Sequence, residues 1–192
     1  MKINTIKNAI RVGEAQLDTT TSSKIWNIVW DTSTPNQTLT QNNGRVYFIV
    51  VSDVIYKIGY SDSQGGIKNT LSTYSSSGNS GRPSDRTHGI HVLIAEELIK
   101  GNKVEFYFNY LQQIKYPLVL MDGTTKMIDV TPSGKILEVE NIEIYKSVMG
   151  THPIWNLQES GQPWPTHIQE SRNNLLSGNP TSIDLIKKRL GI

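Results

Sequence analysis

Val46-Tyr47-Phe48-Ile49-Val50-Val51, then Ser52-Asp53, then Val54-Ile55-Tyr56-Lys57-Ile58-Gly59-Tyr60: these fifteen residues decide the fold. The first run is apolar, aromatic and β-branched without a polar interruption, the composition of a buried strand. Ser52-Asp53 supplies a tight turn, and the second run resumes as a strand, so the pair forms an antiparallel hairpin. Strict alternation along a strand groups Tyr47 with Ile49 and Val51, and Lys57 with Ile55 and Gly59.

Working towards the C-terminus, Gly66 to Tyr74 reads as a short helix, followed by a Ser/Gly-rich loop from Ser75 to Ser84. His88 to Lys100 places apolar residues at 90, 93, 94 and 98, close to helical spacing, with Gly101 as its stop. Lys103 to Phe108 alternates as a third strand. The order β-β-α-α-β predicts an α+β fold, a small, mostly antiparallel β-sheet flanked by helices. Tyr116–Met121 and Lys126–Val130 suggest a further hairpin around Asp122-Gly123. Between Lys135 and Met149, Leu137-Glu138-Val139-Glu140 alternates like a strand, whereas length and Gly150 at the end favour a helix. Ser182 to Leu190 reads as a capped amphipathic helix with cations in its final turn.

Working towards the N-terminus, residues 1–43 are polar and lightly patterned. Trp26, Ile28 and Trp30 suggest a short strand or an aromatic anchor, and Asp31 to Asn43 reads as a loop. A chain of 192 residues fits one domain, 1–192, with its core at about 45–160 and extensions at 1–44 and 161–192.

Composition excludes several chemistries. With no cysteine there is no disulfide framework, no thiolate zinc site and no thiol nucleophile. Phosphate loops of the GxxxxGK[ST] and GxGxxG types are missing, as are a GxSxG elbow and an HExxH pair. The first residues lack the apolar run of a signal peptide, and no stretch is long and apolar enough to span a bilayer, so no membrane association and a cytoplasmic location are expected. Net charge is only +2, so any polyanion must be held by a local concentration of cations. His88 and His91, three apart, could ligate a metal on one helix face, although a surface pair is the plainer reading.

The hairpin carries a more specific signal. Val46-Tyr47-Phe48, with Lys57-Ile58-Gly59 ten residues on, resembles the paired tripeptides of the GIY-YIG nuclease superfamily. Tyr47 keeps the tyrosine of the first tripeptide. Lys57 stands where the second has tyrosine, a replacement similar to that in some restriction-enzyme members. Leu137-Glu138 and Pro153-Ile154-Trp155-Asn156, with Asn156 eighteen residues past Glu138, resemble the family's metal-binding Glu and structural Asn. The family's Arg is less clearly placed. Its spacing lands near Lys68, and Arg82 and Arg86 lie farther on; Arg86 is preferred because it enters the helix containing His91 and can project across the sheet.

The resemblance implies a metal-dependent deoxyribonuclease of the type II restriction kind. Tyr47, Lys57, Arg86, Glu138 and Asn156 would be its catalytic set, with Mg2+ (or Mn2+) on Glu138. The residue types suit the chemistry. A Tyr hydroxyl can take a proton from water, a neighbouring cation such as Lys57 lowers its pKa, and an Arg fork matches phosphoryl oxygens. Lys68, Arg82 and His91 are candidate DNA contacts in a stretch poor in acids, and the polar segments at 32–43 and 122–123 are candidates for base readout. The implied partner is double-stranded DNA, cut by a homodimer or by successive nicks. Taken singly, the same residues have plainer readings: Tyr47 as core, Lys57 as an exposed strand residue, Glu138 as one of an acidic face with Glu140 and Glu143. A non-catalytic nucleic-acid-binding or partner-binding domain with a degenerate hairpin is the open alternative.

Overall fold

The computed structural model describes residues 1–18, 24–77, 82–111, 114–130 and 133–190. After a 3-10 turn at Ile3–Thr5 come strands β1 (Ile10–Leu17) and β2 (Trp26–Trp30), helix α1 (Asn36–Thr40), and strands β3 (Arg45–Val51) and β4 (Val54–Ser61). Helices α2 (Gly66–Ser76) and α3 (Asp85–Ile99) follow, then β5 (Val104–Tyr110), β6 (Ile114–Val119) and β7 (Thr125–Val130), and finally α4 (Gly134–Met149), α5 (Thr166–Ser177) and α6 (Ser182–Leu190). A five-stranded antiparallel sheet in the order β2-β1-β5-β3-β4 forms the body, and β6 and β7 make a separate hairpin. The α+β class, the mostly antiparallel sheet and the flanking helices are as the sequence predicts. No described helix is long and apolar enough to cross a membrane.

The unbroken apolar run of β3 has a direct cause. All seven residues are buried because helices cover both faces of the sheet. Tyr47, Ile49 and Val51 enter a core with Ile67 and Leu71 of α2 and Ile90 and Ile94 of α3. Val46, Phe48 and Val50 enter a second core with Ile142 and Tyr145 of α4. Ser52 and Asp53 both take positive φ, 46° and 71°, the geometry of a two-residue hairpin turn.

Two expectations need correction. Ile55 does not share a face with Lys57. The register steps from Ile49↔Lys57 to Val50↔Ile55, so the strand carries an extra residue at Tyr56. This bulge turns Ile55 into the α4-side core and leaves Lys57 and Gly59 opposite Ile49 and Tyr47. Nor is 1–44 an extension: β1 pairs with β5 and β2 pairs with β1, so these strands complete the sheet. Helix α1 interrupts the expected loop at 31–43, and α5 adds a helix where none was expected. Part of the Ser/Gly-rich loop, residues 78–81, lies outside the described residues, as do the side chains of Ser182, Arg189 and Leu190 in α6.

Candidate active site

The site is built on the β3–β4 hairpin. Tyr47 pairs across the strands with Gly59, and its ring lies where a side chain at 59 would stand. A Cβ there would be 2.4 Å from the Tyr47 Cζ and hydroxyl oxygen, so only glycine lets the ring lie flat across the strand. The Tyr47 hydroxyl then shares a 2.6 Å hydrogen bond with that of Tyr74, the rings meeting edge-on at 6.2 Å. Tyr74 arrives on α2, whose Ile67, Leu71 and Tyr74 recur at helical spacing and face the core. That spacing makes Tyr74 look like an ordinary core residue in the sequence, and it was not among the expected site residues.

Arg86 sits in the first turn of α3, just past Ser84, whose hydroxyl caps the helix by accepting from the Thr87 N–H. With Tyr47, Tyr74, Ser61, Ser63 and Thr70 it lines a cavity of about 230 Å3. The three small hydroxyls bond one another at 2.6–3.1 Å. Buried Arg45 braces them, its Nε and Nη2 donating to the carbonyls of Ser61 and Ser63 at 3.2 and 3.0 Å.

Electrostatics tie the remaining residues to this centre. Burial pushes the Tyr47 hydroxyl well above its usual pKa, Tyr74 adds to the rise, and Arg86 opposes it. Arg86 thus acts on Tyr47 as a cation, the role that the sequence suggests for Lys57. Burial works against the charge of Arg86, but Tyr74, Tyr47, Glu159 and Glu138 together raise its pKa. Lys57 is buried, and desolvation lowers its pKa to about 8 against the pull of Glu159 and Glu138. Glu138, on α4, is fully buried: Oε2 accepts from Lys135 Nζ at 2.7 Å, while Oε1 has no hydrogen-bond partner.

Asn156 holds the outer edge of β4. Its Oδ1 accepts from the Ile58 N–H at 2.8 Å, and its Nδ2 donates to the Ile58 carbonyl at 2.7 Å. This side chain substitutes for a missing neighbouring strand.

No protein-family model and no curated protein matches the chain. Among solved structures it is similar to a mutant of bacteriophage T4 EndoII, with 23% identity, a TM-score of 0.47, and coverage of 80% of this chain and 95% of that one. It is also similar to the restriction endonuclease HPY188I in complex with product DNA, with 20% identity, a TM-score of 0.41, and coverage of 80% and 84%. Both likenesses are partial, and what the site can do follows from its own residues.

Of the expected residues, Tyr47 and Arg86 line one cavity together with Tyr74, which the sequence does not single out; Lys57 and Glu138 act on them electrostatically without lining it, as does Glu159, and Asn156 bonds the β4 backbone next to Lys57. Lys68 lies on α2, its Nζ donating to Asn36 Oδ1 at 3.2 Å, and Arg82 is exposed before α3. His91 is a correction. It is fully buried, stacks on Trp26 at 5.5 Å, and donates from Nδ1 to the Tyr74 carbonyl at 2.8 Å, so it cannot reach DNA. Burial lowers its pKa to about 4. His88 is equally buried, with Nε2 against the Ser171 hydroxyl at 3.0 Å, so the two rings serve separate core contacts instead of a shared metal.

Proposed function

We propose that this chain is a metal-dependent endonuclease that hydrolyses phosphodiester bonds of double-stranded DNA at a defined sequence, as type II restriction enzymes of the GIY-YIG kind do. The observation that carries this reading is Glu138. A fully buried carboxylate with one unpartnered oxygen sits in electrostatic reach of Lys57, Arg86 and the Tyr47–Tyr74 hydroxyl pair. Leaving such an atom unsatisfied costs about 1–3 kcal/mol or more, a penalty that a bound cation removes. No cluster of three or more His, Asp or Glu exists among the described residues. The donor set therefore suits Mg2+ or Mn2+, which takes one carboxylate and fills its other positions with water and phosphate oxygens. Bound at Glu138, the ion would polarise the scissile phosphate and stabilise the departing 3′ oxygen.

The chain's own residues supply the rest. Arg86 would present its fork to the phosphoryl oxygens as their charge builds. Tyr47, whose raised pKa keeps its hydroxyl protonated, would orient the attacking water by hydrogen bonding as the new P–O bond forms and the P–O3′ bond breaks, the water's proton leaving to solvent and the 3′ oxygen taking one up, with Tyr74 holding the hydroxyl in line. Lys57 would add a second cation in a water-poor setting, where each charge acts more strongly than at the surface. The cavity shares Thr73 and Thr87 with a neighbouring trough that Arg82 lines, and no carboxylate lines either among the described residues. That hydroxyl-rich track suits a phosphodiester backbone running past the centre, with Arg82 and Lys68 as outlying contacts.

The test is incubation of purified protein with plasmid and phage DNA, with Mg2+ and with EDTA. Discrete fragments only with Mg2+ are expected. Intact DNA across several divalent metals and substrates would overturn the proposal in favour of a binding domain.

A further inference from the structure

Beyond the cross-strand pair Tyr47↔Gly59, the next pair on the same face of the hairpin is Arg45↔Ser61. Residues two apart on a strand share a face and stand roughly 7 Å from each other. That is close to the step between successive phosphates on one nucleic-acid strand. Both pairs open on one cavity, since Tyr47 and Ser61 line it together with Ser63, Thr70 and Arg86.

At the Ser61 end three hydroxyls form a closed triangle. Ser61 Oγ meets Thr70 Oγ1 at 2.6 Å and Ser63 Oγ at 2.9 Å, and Ser63 Oγ meets Thr70 Oγ1 at 3.1 Å. A hydroxyl proton rotates to the best acceptor within reach, so the triangle can turn its donors to an anion while its oxygens stay in place. Arg45 holds the backbone of the same two serines. Its guanidinium is fully buried, donates from Nε and Nη2 to the Ser61 and Ser63 carbonyls, and keeps Nη1 without a partner. Asp62 acts on it, but Arg45 makes no ion pair among the described residues. Arg86 makes none among them either, and no carboxylate among them lines the cavity. A buried guanidinium without a counter-charge is costly, and an anion at the hydroxyls would supply one.

We propose that Ser61, Ser63 and Thr70, backed by Arg45, form a subsite for the phosphate next to the scissile one. That this phosphate belongs to DNA rests on the nuclease reading; the anion site itself does not. The subsite sets the register of the strand: with one phosphate on the hydroxyls, its neighbour falls beside Tyr47 and Arg86.

The experiment titrates the 15N-labelled full-length protein with inorganic phosphate in the presence of EDTA and follows its backbone amides by NMR. Saturable shifts at Ser61, Ser63 and Thr70 are expected. Removing one hydroxyl, in Ser61→Ala, Ser63→Ala or Thr70→Val, should weaken phosphate binding roughly fivefold, while Thr70→Ser retains it. Arg45→Met should weaken it as well, and Arg45→Lys, which keeps the charge, should recover most of the affinity. A purely structural Arg45 would lower the thermal stability of both variants and leave phosphate affinity in place, which overturns its part in the subsite. Shifts confined to Arg86 and Thr87, or hydroxyl variants that bind phosphate as the wild type does, overturn the subsite itself. Phosphate bound at these residues by a protein that cuts no DNA keeps the subsite and refutes the nuclease reading. DNA cut by a protein whose residues 61–70 ignore phosphate does the reverse.

Discussion

Lys57 holds a charge where the protein disfavours it. Its folded pKa of about 8 lies below the ordinary 10.5, so between those values the unfolded chain binds more protons than the folded one. Stability therefore rises with pH across that window. Below pH 8 the whole penalty, roughly 3 kcal/mol, is present. Replacing the ammonium by an apolar group of similar shape should remove it. Lys57→Met is expected to raise the unfolding midpoint at pH 7 by roughly 5–10 °C, with the gain shrinking at pH 10, while cleavage is lost. Calorimetry at the two pH values checks this; no gain at pH 7 would mean that water reaches the ammonium. Glu138 makes the converse case. Glu138→Gln keeps the shape and removes the charge, so cleavage should fall by 100-fold or more while DNA binding, read by fluorescence anisotropy, stays near wild type. Full cleavage by this variant would remove Glu138 from the mechanism.

Among the elements, the β4 edge depends on one side chain. Asn156→Ala would leave the buried N–H and C=O of Ile58 without partners, at about 1–3 kcal/mol for each group. An unfolding midpoint lower by roughly 5–10 °C is expected, and an unchanged midpoint would show that the segment stays docked through Trp155 alone. The same elements show what a sequence can carry. The β3 run is legible because burial on both faces removes all alternation, and α4 is legible because Gly150 ends it in the left-handed conformation at φ 72°. Strand β1 is not legible. A register shift between Arg11 and Gly13 breaks its period of two, and Arg11 is held not only by nearby Glu14 but by Asp31 and Glu105, far along the chain. The bulge at Tyr56 hides the facing of Ile55 in the same way. Within the site, motif order led to Tyr47, Lys57, Glu138 and Asn156. Tyr74 was hidden by core-like spacing, Glu159 by a turn with no period, and the burial of His91 by its dependence on Trp26 sixty-five residues away.

At the scale of the whole molecule, exposed apolar surface is unevenly spread. Among the described residues, twelve of the seventeen exposed large hydrophobic side chains fall between residues 114 and 149, on the β6–β7 hairpin and α4. Every residue of β6 is exposed, and β7 is exposed apart from the half-buried Ile128 and Val130, so none of the described residues covers this hairpin. A two-stranded ribbon is marginal in water on its own, and a concentrated apolar patch of this kind is typical of a surface covered in an assembly. One chain holds one candidate centre, whereas a duplex has two strands of opposite polarity. A second copy related by a two-fold axis would supply the second centre in the matching orientation. We therefore expect a homodimer held through the hairpin. Val119 and Met127 occupy one face of the ribbon, as the pairs Val119↔Thr125 and Pro117↔Met127 show. The double substitution Val119→Lys with Met127→Lys should convert a particle of twice the chain mass, read by sedimentation, into a monomer. It should also convert double-strand cleavage of supercoiled plasmid into nicking. A wild-type protein that is monomeric at tens of micromolar and still linearises plasmid in a single encounter would rule the dimer out.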